Sequence, residues 1–359
     1  MDNIRRILII IQRSNGDVLF SNSLVNRLRE NYPKAIIDLL INDDTISIGK
    51  LIPSINEIIT FSYHQKEINR TGQEIRIIKK IFRKYDLSIN LTASDRSVIY
   101  SIIAAKKSIS AVEFDTKKSW WKKLLLKHYY FFDKNSHILV NNLKSLRFLK
   151  IHSNNSFIAI QPSNKAQKTI KNLLIERKIS DFLIFHPGAQ YEYKVYPKRL
   201  RHELLCYLNS LNIPIIVTGG ISDIDLEIRK NLPSLKNVSN LIGETTIDEF
   251  IALAKLSRGF IGMDTLNMHI ANSFGKRVFA IFGPTDLKMW SPWVNIELYN
   301  KISNTSKQTY HNVTIFQADM PCVACGRAGC NDQHDESMCL NYIDPELIYK
   351  EVENYVNTQ

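Results

Sequence analysis

Short apolar runs alternate with longer amphipathic stretches along most of the sequence, which predicts β and α elements in alternation around parallel sheets. The first run, residues 6–12, is β-branched and unbroken, as in a strand buried on both faces. A loop over 13–17, a helix over 18–31 and a strand over 36–41 complete a βαβ opening, with Pro33 between helix and strand. The alternation continues through an apolar segment at 57–61, a basic amphipathic helix at 67–85, a strand at 87–91, a helix at 95–105 and a strand at 109–114.

From 116 to 132 the pattern changes: TKKSWWKKLLLKHYYFF interleaves five lysines with six aromatic residues. A basic segment carrying Trp and Leu suits an anionic membrane interface. Stacking on single-stranded nucleic acid, or packing of an aromatic helix face in a core, would use the same pattern. Between 142 and 180 only 156–160 reads as a strand, and the polar QPSNKAQKT reads as a crossing between domains. A second α/β series follows: strand 182–186, the loop PGAQYEYKVYP, a helix opening at Pro197, strand 213–218, the turn Gly219-Gly220, and helices at 222–230 and 246–255. A last helix at 345–355 has apolar positions at helical spacing and fits against either series. The expected division is residues 1–155, residues 156–344 and a closing helical segment at 345–359.

The stretch FIGMDTLNMHIANSFGKRVFAIFGPTD, 260–286, reads as strand, tight turn, helix over 267–274, strand over 277–282 and loop. Gly262 lets the chain turn, and Asp264 and Thr265 suit an N-cap. A helix N-terminus at the carboxyl edge of parallel strands favours an anion, because its free N–H groups and its dipole both meet negative charge. Phosphate or pyrophosphate is the expected guest, within reach of His269; an ordinary crossover with an inward histidine would show the same pattern. Asp17 follows the first strand in the same way, either as a helix cap or, facing a cleft, as a general base. The loop RSNGD lacks G-x-G-x-x-G, which disfavours a nicotinamide enzyme. Two such sheets place a cleft between domains, with Asp17 on one side and His186, Gly188, Lys194, Gly219, Gly220 and Asp264 on the other.

Charge matters here by its placement. The chain of 359 residues carries +12, and residues 1–150 account for it with 26 Lys and Arg against 14 Asp and Glu, while the remainder holds 21 of each. The first half is therefore expected to face nucleic acid, a membrane surface or an acidic substrate. No apolar run reaches the ~18 residues of a membrane-spanning helix. The N-terminal run lacks the small-residue cleavage site of a signal peptide, so a cytoplasmic protein is expected. Cys206 stands alone, whereas Cys322, Cys325, Cys330 and Cys339 cluster with the spacing C-x2-C-x4-C-x8-C. In a reducing compartment that cluster is a set of packed thiols or a tetrahedral metal site with His334 as a spare ligand.

Taken in order, RSNGD, HPGA with KVYP, TGG with Asp223, GMDTLNMHIA, FGPTD and CVACGRAGC resemble the motifs of glycosyltransferase family 9, the ADP-heptose:lipopolysaccharide heptosyltransferases, over essentially the whole chain. The resemblance implies an α/β protein of GT-B fold: two Rossmann-like domains facing across a cleft, the N-terminal one for acceptor and the C-terminal one for nucleotide sugar. It implies inverting transfer of a heptose or related sugar from an ADP-sugar to an anionic lipid-linked oligosaccharide, peripheral at the inner-membrane surface. No cofactor, metal or nucleic acid is expected to take part. Carried over by position, Asp17, after Gly16, is the catalytic carboxylate, and Lys194 is the lysine beside the leaving phosphates. His186, Gly188, Gly219, Gly220, Asp223, Asp264, Thr265 and His269 join Lys194 on the donor side, with Asp223 where a ribose-binding glutamate is usual. Lys117, Lys118, Trp120, Trp121, Lys122 and Lys123 form the acceptor or membrane side.

Two positions depart from the family pattern. Tyr196 replaces the usual Trp, and Leu266 replaces the glycine of D-[ST]-G-x-x-H, where a side chain crowds the backbone approach to pyrophosphate. A GT-B transferase using another nucleotide sugar or a protein acceptor is thus the competing reading within the fold. A basic nucleic-acid-binding protein with a structural four-cysteine metal site is the competing reading from another class. The chemistry itself is spare: one positioned carboxylate deprotonates an attacking hydroxyl, and one lysine with helix N–H groups stabilises a departing diphosphate.

Overall fold

The computed structural model describes residues 4–114, 116–334 and 336–358, and of Thr116 and Lys118 the backbone alone. The chain divides into two compact units, Met1–Ile160 and Gln161–Gln359.

In the first unit, strand β1 (Arg6–Ile11) leads into helix α1 (Asn15–Asn31), strand β2 (Ile36–Asn42) and the short helix α2 (Ile46–Gly49). Strand β3 (Glu57–Phe61), helix α3 (Tyr63–Ile81), strand β4 (Tyr85–Asn90), helix α4 (Asp95–Ala104) and strand β5 (Ala105–Val112) continue the alternation. Helix α5 (Thr116–Leu125), strand β6 (His128–Phe131) and helix α6 (Ile138–Leu143) complete it. The strands pair in parallel in the order β3-β2-β1-β4-β5-β6. Ile7 to Ile11 are buried, which is why the first run reads as unbroken rather than alternating. Strand order reverses at β1, so the crevice of this sheet opens beside the first turn of α1, which carries Asp17.

Two expectations are corrected in this unit. Helix α1 begins at Asn15, before residue 18, because the carboxylate of Asp17 reaches back to the amide of the N-cap, Ser14. Residues 156–160 form no strand; the backbone of Ile158 bonds the side chains of Asn22 and Ser23 on α1, and Phe157 packs 4.6 Å from Phe20. The segment at 116–132 is a helix followed by a strand, with His128–Phe131 adding an edge beside β5.

In the second unit, helix α7 (Asn164–Glu176) occupies most of the stretch expected to be a crossing, capped by the Ser163 hydroxyl. Strand β7 (Leu183–His186), helix α8 (Lys198–Asn209), strand β8 (Ile215–Val217), helix α9 (Asp223–Lys230) and strand β9 (Val238–Asn240) follow. Pro197 is the N-cap of α8 rather than its first helical residue. Then come helix α10 (Ile247–Leu256), strand β10 (Gly259–Met263), helix α11 (Leu266–Ser273) and strand β11 (Arg277–Ile281). Two short helices, α12 (Leu287–Trp290) and α13 (Ile296–Tyr299), precede the hairpin of β12 (Lys307–Tyr310) and β13 (Val313–Phe316). Helices α14 (Met338–Asn341) and α15 (Pro345–Asn357) end the chain.

The second sheet runs β12-β13-β11-β10-β7-β8-β9, parallel except for the β12–β13 hairpin. Its order reverses at β7, which puts the crevice between the ends of β7 and β10. The two strands are in close contact there: a Cβ on Gly262 would lie 2.4 Å from the carbonyl oxygen of His186. Helix α15 belongs to this unit, with Ile348 and Val352 in one apolar cluster with Leu204 and Leu208 of α8.

Candidate active site

At the β7–β10 switch point the loop after β7 and the N-terminus of α11 come together. Lys194, on the loop, places its Nζ 3.0 Å from Oδ2 of Asp264, the residue following β10. Burial disfavours the Lys194 charge, but the field of Asp264 and its hydrogen bond outweigh that, and the pKa is raised overall. Thr265 is the N-cap of α11 yet makes no side-chain cap, and its buried Oγ1 has no hydrogen-bond partner. The first N–H groups of α11 are therefore left without a side-chain acceptor, beside a lysine.

Two histidines line this end of the sheet. His186, the last residue of β7, meets Thr218 Oγ1 at 3.0 Å through Nδ1 and has Asn267 Nδ2 at 3.2 Å. Burial depresses its pKa to about 4, although Asp225 and Thr218 act the other way. His269, one turn into α11, is also pushed down to about 4 by burial, which Asp264 opposes and Lys194 assists. Both rings are neutral near pH 7 and act as hydrogen-bonding groups rather than cations.

Glycines 188, 219 and 220 surround one carboxylate, that of Asp225. A Cβ on Gly188 would lie 2.1 Å from Asp225 Oδ1 and one on Gly219 at 2.9 Å, so neither position has room for a side chain. The Gly220 amide and the Ser222 hydroxyl donate to Asp225 Oδ2 at 2.9 and 2.8 Å. Asp223 lies elsewhere, exposed in the first turn of α9. Sequence reasoning passed over Asp225, Thr218 and Asn267. The spacing Ser222-x-x-Asp225 is a capping pattern that could have singled out the first, whereas nothing local marks the other two.

In the first unit, Asp17 is buried. Its Oδ2 accepts from the Ser14 hydroxyl at 2.7 Å and the Ser14 amide at 3.2 Å, and Oδ1 lies 2.6 Å from Arg13 Nε. Arg13 in turn stacks over Phe132 at 4.8 Å. The carboxylate thus caps α1 and is also held in a fixed orientation at the crevice of the first sheet.

The residues assigned to the acceptor or membrane side separate. Lys117 and Trp120 are exposed, Trp121 packs against Val98, Val112 and Leu126, and Lys123 lies over Phe131 at 5.0 Å. Lys122 is not a surface residue: it is buried and holds Asp95 at 2.8 Å, Glu113 at 3.9 Å and the Ala93 carbonyl at 2.7 Å. The Lys118 side chain lies outside the described residues.

Cys322, Cys325 and Cys330 are exposed free thiols and Cys339 a buried one, pushed up to about 11 by burial and by the three others. Among the described residues no group of three or more His, Cys, Asp or Glu side chains stands where it could hold a metal ion. No helix among them is long and apolar enough to cross a membrane. Tyr196 is buried, its hydroxyl donating to the Ile343 carbonyl, and Leu266 is half-buried at the first position of α11.

Two doubly wound α/β sheets in succession are the architecture of the GT-B class, and comparison with known proteins places the chain among its glycosyltransferases. The family model of glycosyltransferase family 9 (heptosyltransferase) matches residues 75–318, and the chain belongs to that family. It is 27% identical over 290 residues, 78% of this chain and 83% of the other, to lipopolysaccharide heptosyltransferase 3 of Escherichia coli K12. The solved E. coli ADP-heptose lps heptosyltransferase II superposes with a TM-score of 0.72 at 19% identity, covering 98% of this chain and 99% of that one. E. coli heptosyltransferase WaaC, solved with ADP-2-deoxy-2-fluoro heptose, gives 0.70 at 14% identity, covering 98% and 99%. The protein is a glycosyltransferase of the lipopolysaccharide heptosyltransferase family.

Proposed function

We propose that the protein moves a heptose, or a closely related sugar, from an ADP-sugar to an anionic, lipid-linked lipopolysaccharide core acceptor, with inversion and without a metal. The observation that carries this reading is the Lys194–Asp264 pair at the uncapped start of α11, next to the unpartnered Thr265 hydroxyl. A pyrophosphate entering there would meet a cation, free N–H groups and a hydroxyl donor, and the charge gained on departure would be stabilised where it forms. Asp225 and its ring of glycines hold the neighbouring loop ends in place, and neutral His186 and His269 add hydrogen bonds without adding charge. Asp17 would take the proton of the acceptor hydroxyl, releasing one of its present contacts to do so. The structure of a relative with an ADP-heptose analogue supports the choice of donor. Leu266 at the first position of α11 favours one further reading, a different sugar or base on the same diphosphate.

A nucleotide panel followed by one variant tests the proposal. ADP at about a hundred times its dissociation constant should add roughly 2.7 kcal/mol of stability, with UDP and GDP adding little. Asp17→Asn should keep that response and lower sugar transfer by about 10²–10⁴. Near-normal transfer by Asp17→Asn would reduce Asp17 to a helix cap, and a stronger response to UDP or GDP would reassign the donor.

A further inference from the structure

Helix α5 turns a lysine inward and leaves several large apolar side chains outside. At about 100° per residue, Ser119 and Lys122 share one face, continued by Leu126 just past the helix end, and all three are buried. Lys122 stays inside because Asp95, Glu113 and the Ala93 carbonyl satisfy its ammonium. The opposite face carries Lys117, Trp120 and Leu124, with Leu125 at its margin. Trp120 is 64% exposed, Leu124 76% and Leu125 58%. Phe114, just before the helix, is 76% exposed and its ring meets that of Phe131 on β6 at 5.3 Å. An amphipathic helix on a globular protein ordinarily turns such residues inward. Exposed apolar side chains brought together on one short helix and the residue before it mark a docking surface.

We propose that this face, Phe114, Trp120, Leu124 and Leu125 with Lys117, Lys123 and Lys127, docks on an anionic lipid bilayer. Lysines interleaved with Trp, Phe and Leu match a surface that is charged outside and apolar beneath. The unit that carries this face has the same net sign, since residues 1–150 account for the +12 of the chain. The patch also adjoins the first-unit site. Phe131 is followed by Phe132, which lies under Arg13, and Arg13 holds Asp17. Docking here presents a lipid-anchored hydroxyl to Asp17, so the inference rests on the lipid-linked acceptor proposed above and names the surface that meets its membrane.

The test is sedimentation of the full chain with phosphatidylglycerol vesicles, with phosphatidylcholine vesicles as the neutral control. The unaltered chain should pellet with the anionic vesicles and at least tenfold less with the neutral ones. The variant Trp120→Ser/Leu124→Ser/Leu125→Ser should lose more than tenfold in vesicle binding at an unchanged melting temperature. Lys117→Gln/Lys127→Gln should lose about fivefold per lysine, and raised salt should abolish the difference. Both variants should keep the thermal response to ADP, which separates loss of docking from loss of the donor site. A chain that pellets but ignores ADP would uphold docking and overturn the donor assignment instead. Equal pelleting of the unaltered chain and the triple serine variant would overturn the proposal. So would a dimer that the serine changes split while no vesicle binding is seen, since a second copy would then cover the face.

Discussion

Removing Lys194 and Asp264 singly and together separates what the pair does for the fold from what it does for the donor. Their atoms are 3.0 Å apart, with side-chain exposures of 26% and 8%. At an effective dielectric of ~20 the direct attraction would be roughly 5 kcal/mol, much of it offset by desolvation. Lys194→Met leaves a buried carboxylate uncompensated, which costs about 3–5 kcal/mol in general; the partial exposure of Lys194 argues for the lower end. Asp264→Asn should cost about 1 kcal/mol, because the freed ammonium can reach water. The double variant should recover to within about 1 kcal/mol of the parent, giving a coupling of roughly 3 kcal/mol. Donor binding should behave differently. Loss of one charge-assisted contact to phosphate is worth about 1.5–3 kcal/mol, or roughly 10–150-fold in affinity. ADP affinity should therefore fall in Lys194→Met and stay low in the double variant, while Asp264→Asn binds ADP at least as well as the parent. Urea denaturation and calorimetric titration of the four proteins provide both measurements. Recovery of ADP binding in the double variant would refute the reasoning, since the lysine would then act through fold stability alone.

Other outcomes follow from contacts already described. Gly188→Ala must push Asp225 from a position 2.1 Å from the new Cβ, breaking its bonds to Gly220 and Ser222 at a cost of about 2–4 kcal/mol. Adding Asp225→Ala should remove most of that extra penalty, and strict additivity in denaturation would show that the clash is relieved elsewhere. His186 and His269 have folded pKa values of about 4 against roughly 6.5 unfolded. The unfolded state therefore binds more protons between those values; stability is intact above pH 6.5 and is lost as pH falls toward 4, by about 2 kcal/mol per histidine at pH 5. Urea midpoints at pH 7.5 and 5 would measure this, and His269→Asn should remove about half of the slope. Lys122→Met should lower the melting temperature while leaving vesicle binding unchanged, which a surface role for that lysine would not allow.

The sequence by itself determined the alternation of elements, the two α/β series, the strand, turn and helix of β10–α11 and the family motifs in their order. These are local: apolar runs, caps and turn residues act over a few positions, and a parallel sheet buried on both faces leaves its mark in each strand separately. The strands it did not show, β6, β9, β12 and β13, are three or four residues long, too short to establish a period. Helix α7 lay hidden in a polar stretch because burial of Ala166, Ile170 and Leu174 alone holds its inner face. Tertiary structure decided which side chains meet across distance. Lys194 and Asp264 are 70 positions apart and His186 and Thr218 are 32 apart, and only the strand order that sets β7 between β8 and β10 brings them together. It also chose Asp225 over Asp223 to stand among the glycines, because the third position of α9, not the first, points back toward the strand ends. The orientation of α5 was settled in the same way: Asp95 and Glu113, both outside the helix, draw Lys122 inward and leave Trp120 and Leu124 outside.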